Sequence, residues 1–254
     1  MSSLTAPRAL VAGGSGGIGR AIAVGLAEAG WDIALTYRNN KDAGAETAEL
    51  VRAAGRQASI HGVDLVDAAA ARDVVTGIGA QGPLAAVVYA AGPHIPMRFI
   101  SELSPETFSD TIDQDLKACF NFLQPSLPLL RPTKGAVLAI VTPVISRYTR
   151  KDIMSVTPKA AVQALIRGIA SEEGRYGVRA NAIGVGVIEG QGMWDELVAR
   201  GDFTEVGLKK ALEDTALKRF GHVDDIANAA TFLLSDRSSW ITGQTLYVDG
   251  GYSV

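Results

Sequence analysis

Cysteine occurs once in 254 residues, at position 119, so no disulfide can form within the chain and no thiolate cluster is available to a metal. The three histidines, His61, His94 and His222, lack the spacing of a metal-ligating set and read as surface or core residues, with His94 a candidate to line a pocket. Basic residues are not in excess. Lys and Arg number 24 against 27 Asp and Glu, a formal charge of −3, which offers no electrostatic footprint for nucleic acid. No apolar run approaches the roughly 20 residues of a membrane helix. Met1–Pro7 lacks the charged start and apolar stretch of a signal peptide. The expectation is a cytoplasmic protein. What the chain has in quantity is apolar residue, 47% against 20% charged, enough to bury a large core.

Short β-rich runs alternate with longer alanine-rich ones. Strands are expected at Arg8–Ala12, Asp32–Tyr37, Ala58–Gly62, Ala85–Tyr89, Ala136–Val141, Val178–Ile183 and Thr245–Val248. Helices are expected at Ile18–Ala29, Ala45–Ala54, Ala68–Ile78, over much of Pro105–Leu130, and near Lys159–Tyr176. Strict alternation implies right-handed crossovers. The expected fold is α/β, a Rossmann-like doubly wound fold with a seven-stranded parallel sheet and helices on both faces. Residues 1–254 read as a single domain, with an irregular excursion over about 190–217 as a flexible lid.

Gly13-Gly14-Ser15-Gly16-Gly17-Ile18-Gly19 lies between the first strand and the first helix. Glycines there permit a tight turn and let backbone N–H groups and the helix N-terminus approach a pyrophosphate. The spacing Gly13-x3-Gly17-x-Gly19 resembles that of the short-chain dehydrogenase/reductase family, and the likeness covers almost the whole chain. Tyr89-Ala90-Ala91-Gly92 resembles the family's Asn-Asn-Ala-Gly. Arg179–Ile183 resembles its sixth strand. The tail from Arg219-Phe220-Gly221 through Asp224–Ala227 and Ile241–Gln244 to Val248-Asp249-Gly250-Gly251 is similar to its C-terminal signature.

An acid at the end of the second strand would bind the ribose 2′-hydroxyl of NAD and repel a 2′-phosphate. Here Tyr37-Arg38-Asn39 stands instead, followed by Asn40 and Lys41, and Arg38 offers a forked donor to a phosphate, which points to NADP(H). The other reading of Arg38 and Lys41 is solvated loop charge. The resemblance places Asp64 and Leu65 against the adenine, Ala90, Ala91 and Gly92 along the cofactor, and Gly186 and Ile188 beside the nicotinamide. Asp64 also reads as a turn or capping aspartate. Val185 and Gly190 depart from the Pro and Thr usual near that last motif.

The family's usual catalytic set is an Asn, a Ser, and a Tyr four residues before a Lys. The resemblance puts Lys159 at the lysine position, Ser155 at that of the Tyr, Thr142 at the Ser and Asp115 at the Asn. Ser155 is too weak an acid to copy a lysine-activated phenol, and reads equally as a helix cap just before Pro158. Thr142 keeps a hydroxyl for a substrate oxygen or bonds only backbone. Asp115 with Lys159 forms either a water-mediated proton relay or a structural ion pair. Tyr148, in the loop Ser146–Lys151, is the nearest phenol and is either an acid swung in from the loop or a rim residue. Cys119 on the long helix reads as buried and inert.

These positions imply an NADP(H)-dependent reductase of a ketone or a conjugated enone or enoyl thioester. An Asp with a Lys and no Tyr resembles the 2,4-dienoyl-CoA reductase branch, where the carbonyl oxygen needs only hydrogen bonds; ketones activated by their own hydroxyl fit equally. The alternative is a silent dinucleotide-binding homologue with a regulatory role. The resemblance further implies a homotetramer, pairing through the helices of Cys119 and Ala160–Ala170 and through the strand at Leu246–Val248.

Overall fold

A computed structural model describes residues 6–190, 193–202 and 204–254. Seven strands, β1 (Arg8–Ala12), β2 (Asp32–Tyr37), β3 (Ala58–Gly62), β4 (Ala86–Tyr89), β5 (Ala136–Val141), β6 (Arg179–Val185) and β7 (Thr245–Val248), form one parallel sheet in the order β3-β2-β1-β4-β5-β6-β7. The expected doubly wound sheet is the observed one. Alternate residues of each central strand serve opposite faces, as the pleat requires. Leu10 and Ala12 of β1 join the core under one helical layer, Ala9 and Val11 that under the other.

The layer beneath Ala9 and Val11 holds α1 (Gly17–Glu28), α2 (Lys41–Ala53) and α9 (Val223–Leu234), contributing Ile22, Leu26, Val51, Ile226 and Leu233. The opposite layer holds α3 (Ala68–Ala80), α5 (Ala118–Leu130) and α6 (Ile153–Glu173), contributing Val75, Phe122, Leu123, Val162 and Ile166. With both faces covered, β4 and β5 are buried at every residue, which explains their unbroken apolar runs.

Several boundaries differ from expectation. α2 starts at Lys41 rather than Ala45, because the Asn40 side chain accepts from Ala43 N and caps it. The long run from Pro105 is α4 (Pro105–Ile112), a π-helical turn at Asp113–Lys117, then α5. α6 begins six residues before Lys159, with Pro158 inside it. α9 was not anticipated; its sequence reads as a motif, and the apolar face packed on α1 emerges only in the fold. The excursion over 190–217 is not irregular. It carries α7 (Met193–Ala199) and α8 (Glu205–Asp214), while positions 191, 192 and 203 of that segment lie outside the described residues. No helix among the described residues is long and apolar enough to cross a membrane.

Candidate active site

The strand order reverses between β1 and β4, whose Ala12 and Tyr89 lie side by side at their C-terminal ends. A doubly wound sheet opens its ligand crevice at such a point. The glycine turn leaves β1 there. Gly13 has φ +74°, and a Cβ on it would lie 2.7 Å from Ala90 O; one on Gly19 would lie 2.2 Å from Gly13 O. Both are glycine because turn, helix and the β4 exit touch backbone to backbone. Gly16, by contrast, has room, its nearest atom 3.5 Å from an added Cβ. It is the N-cap of α1, makes no side-chain cap, and no acid follows in the first turn. Ser15, Gly16, Gly17 and Ile18 therefore sit at a helix start whose amides face no side-chain acceptor of their own.

Beyond β2, the Tyr37 ring packs beside Gly44 and Gly62, either of which as alanine would crowd it at 3.1–3.2 Å. Arg38 is exposed and donates from Nη1 to Gln114 Oε1 at 3.2 Å. Asn39 follows, exposed, before the Asn40 cap. Asp64 Oδ1 accepts from Val66 N at 3.0 Å, a turn contact that leaves its second oxygen available. Leu65 is buried, and its carbonyl accepts from Asn121 Nδ2 at 2.9 Å, a tie from α5 that no sequence signal revealed.

Ala90, Ala91 and Gly92 leave β4 toward Lys159. Its Nζ donates to Asp115 Oδ1 at 2.9 Å and to Ala91 O at 3.4 Å. The two expected residues meet directly, as an ion pair at 2.9 Å with side chains 15% and 4% exposed. Asp115 reaches Lys159 from the π turn, an element found frequently at functional sites. The turn is held from below by Tyr89, whose hydroxyl donates to the Asp115 carbonyl at 2.9 Å and whose ring lies 5.5 Å from Lys159 Nζ. Burial, and then the Asp115 charge, push the Tyr89 phenol well above its ordinary value, so it acts here as a fixed donor. Sequence reasoning took Tyr89 only as the head of a motif. Cys119 is fully buried and burial raises its thiol, in keeping with an inert residue.

Thr142, at the end of β5, accepts from Val144 N at 3.3 Å through Oγ1, which leaves its proton for another acceptor. Ser155 is not a cap. It is the third residue of α6, the N-cap is Asp152, and the Ser155 hydroxyl has no partner among the described residues. Tyr148 is 50% exposed and has no side-chain bond among the described residues. The loop around it is tied by residues the sequence did not single out: Tyr247, its hydroxyl 2.6 Å from Ser146 Oγ, and Tyr252, bonded to Thr149 and accepting from Arg147 through its carbonyl. Gly186 N bonds Val248 O at 3.2 Å and Ile188 bridges Gly221, which fixes the chain beyond β6. Arg98, in the loop after β4, approaches Asp202 at 3.8 Å between α7 and α8.

The family described as Enoyl-(Acyl carrier protein) reductase matches residues 12–253. The chain is 32% identical over 245 residues to the 3-oxoacyl-(acyl-carrier-protein) reductase of Staphylococcus epidermidis, covering 96% of this chain and 97% of that one. It is 33% identical over 255 aligned positions to the gluconate 5-dehydrogenase of Gluconobacter oxydans, covering 99% and 96%. Among solved structures, a short-chain type dehydrogenase/reductase from Mycobacterium ulcerans superposes with a TM-score of 0.89 at 29% identity, over 97% of this chain and 90% of that one. The crevice at the β1–β4 reversal and the ion pair at its edge thus belong to an oxidoreductase, and the chain belongs to the short-chain dehydrogenase/reductase family.

Proposed function

We propose that the chain is an NADP(H)-dependent reductase of a ketone, or of a conjugated enone or enoyl thioester, with proton delivery that does not use a phenol. The carrying observation is the Lys159–Asp115 pair at 2.9 Å beside Gly92, with a serine one turn earlier on the helix. The start of α1 fits a dinucleotide, since an uncapped N-terminus with no nearby acid favours a pyrophosphate. Gly13, Ser15, Gly16, Gly17, Ile18 and Gly19 would hold that group, Tyr37, Arg38 and Asn39 the adenosine ribose and its phosphate, and Asp64 and Leu65 the adenine. Ala90, Ala91, Gly92 and Lys159 would hold the second ribose, and Gly186 and Ile188 the nicotinamide end. The bound dinucleotide supplies hydride.

This chain's own residues then orient and stabilise. Thr142 donates its free proton to the substrate oxygen, Ser155 adds a second hydroxyl, and the Lys159 charge lowers the energy of the developing oxyanion. Asp115 fixes Lys159 in direction, and water supplies the proton that completes the product. One domain carries all of this; the segment 190–217 covers the substrate as a lid, with Arg98 and Asp202 as its latch. β7 is the sheet edge and leaves Leu246 42% exposed, consistent with pairing in a homotetramer. The cofactor choice is tested by fluorescence titration. NADPH should bind more tightly than NADH, and Arg38→Ala should weaken NADPH by about 1–3 kcal/mol while sparing NADH. Equal affinities in the native protein would refute the assignment.

A further inference from the structure

Asp152 stands at the N-cap of α6, where an aspartate ordinarily accepts from the first helical amides. Asn40, Asp67, Ser104 and Thr204 do so at the heads of α2, α3, α4 and α8. Asp152 does not, although it is only 9% exposed. Among the described residues its carboxyl has neither a hydrogen bond nor an ion pair. Burial alone pushes the acid up to about 7, with no cation contributing. Holding a carboxyl in that state is unfavourable unless something completes it.

Its surroundings indicate what kind of space it meets. No fully enclosed side-chain nitrogen or oxygen among the described residues lacks a partner. The Asp152 oxygens lack one, so they border open space rather than packed interior. The unpartnered Ser155 hydroxyl meets the same condition. At 100° per residue, positions 155 and 159 fall within about 40° of one another on α6, and Asp152 stands at the N-cap three residues before Ser155. The stripe Met154, Pro158, Val162 and Ile166 is the side buried in the core. One face of the helix therefore presents the Ser155 hydroxyl and the Lys159 ammonium that closes the site at Ala91 and Asp115, with the Asp152 carboxyl at the helix start before them.

We infer that Asp152 is a specificity-determining residue that binds a hydroxyl group of a hydroxylated carbonyl substrate, about one helical turn from the reacting carbonyl. The inference rests on the reductase reading above. A purely apolar substrate chain would bury the carboxyl without a partner, which a polar site discriminates against strongly. A neutral donor suits a carboxyl that burial alone, with no cation contributing, holds up to about 7.

The test compares 4-hydroxy-2-butanone and 1-hydroxy-2-butanone with 2-butanone as substrates of the NADPH-loaded protein, in native, Asp152→Asn and Asp152→Leu forms. The native protein should prefer one hydroxyketone by at least about 100-fold in kcat/KM. Asp152→Leu should collapse that ratio to under about tenfold, mainly through KM, and Asp152→Asn should retain part of it. A ratio that Asp152→Leu leaves intact, or no preference in the native protein, overturns the inference. Calorimetry of 1,3-butanediol and 2-butanol binding to the NADP-loaded protein reads the same contact without turnover. The diol should bind at least about tenfold more tightly to the native protein only, a difference of about 1.4 kcal/mol. Failure of reduction with the diol preference present would count against the reductase reading alone, whereas equal binding of the two alcohols would remove the role of Asp152.

Discussion

The turn after β1 and the segment that runs from β5 into α6 are built on opposite principles. The first is backbone against backbone: Gly13 and Gly19 lie so close to Ala90 and to each other that no side chain fits. The second ends on side-chain groups without partners among the described residues, the Asp152 carboxyl at the N-cap of α6 and the Ser155 hydroxyl in its first turn, and the loop before them is tied by Tyr247 and Tyr252 from the end of the chain. A dinucleotide pyrophosphate is one shape, so its cradle can be rigid. A substrate is recognised by particular donors and acceptors, and those must be presented bare.

That contrast breaks most sharply at Gly19. Gly19→Ala puts a methyl 2.2 Å from Gly13 O, and should destabilise the fold by about 3 kcal/mol or more with loss of NADPH binding. Gly16→Ala meets its nearest atom at 3.5 Å and should melt within about 1 kcal/mol of native while binding NADPH less tightly. Similar melting of the two variants would show that the turn is not sterically set.

The loop side is tested next, through pH. The Asp152 acid sits at about 7 in the folded chain, against about 4 when unfolded. Below about pH 4 both states hold the proton and nothing is lost. As pH rises from about 4 to 7 the unfolded chain releases it first, so stability falls, by a few kcal/mol at most. The thermal midpoint of the native protein should therefore drop more steeply over that range than that of Asp152→Asn. Parallel curves would show that the carboxyl is not held unpaired.

Between the two regions lies Tyr89, the last residue of β4. Tyr89→Phe leaves the buried Asp115 carbonyl without its donor, which should lower stability by about 1–3 kcal/mol and loosen the aim of Asp115 on Lys159. Denaturant unfolding measures the first and kcat the second; no change in either would make the hydroxyl incidental.

The same contrast explains what could be read from the chain. The glycine turn and the strands follow from residues adjacent in sequence, and they appear within a residue or two of where spacing puts them. Asp115 and Lys159 were recognisable as partners because both occupy motif positions. The Tyr89 hydroxyl was not, since a fully apolar environment reads as core and says nothing of the carbonyl it meets across the helix layer. Ser155 was open to reading as a cap because Pro158 suggests a helix start, whereas the chain enters the helix two turns before Lys159 and places the proline inside it. The ties from Tyr247 to Ser146, 101 residues apart, carry no local signal at all.

The account turns on Lys159 acting at the substrate oxygen in place of a phenol. The direct measurement is the rate of NADPH consumption with 4-hydroxy-2-butanone by the native protein, Lys159→Ala and Tyr148→Phe. Removing one such electrostatic group should slow turnover by about 10²–10³, and the exposed Tyr148 should matter less than about threefold. A Lys159→Ala protein that consumes NADPH at the native rate, or a Tyr148→Phe protein that loses it, would contradict the account.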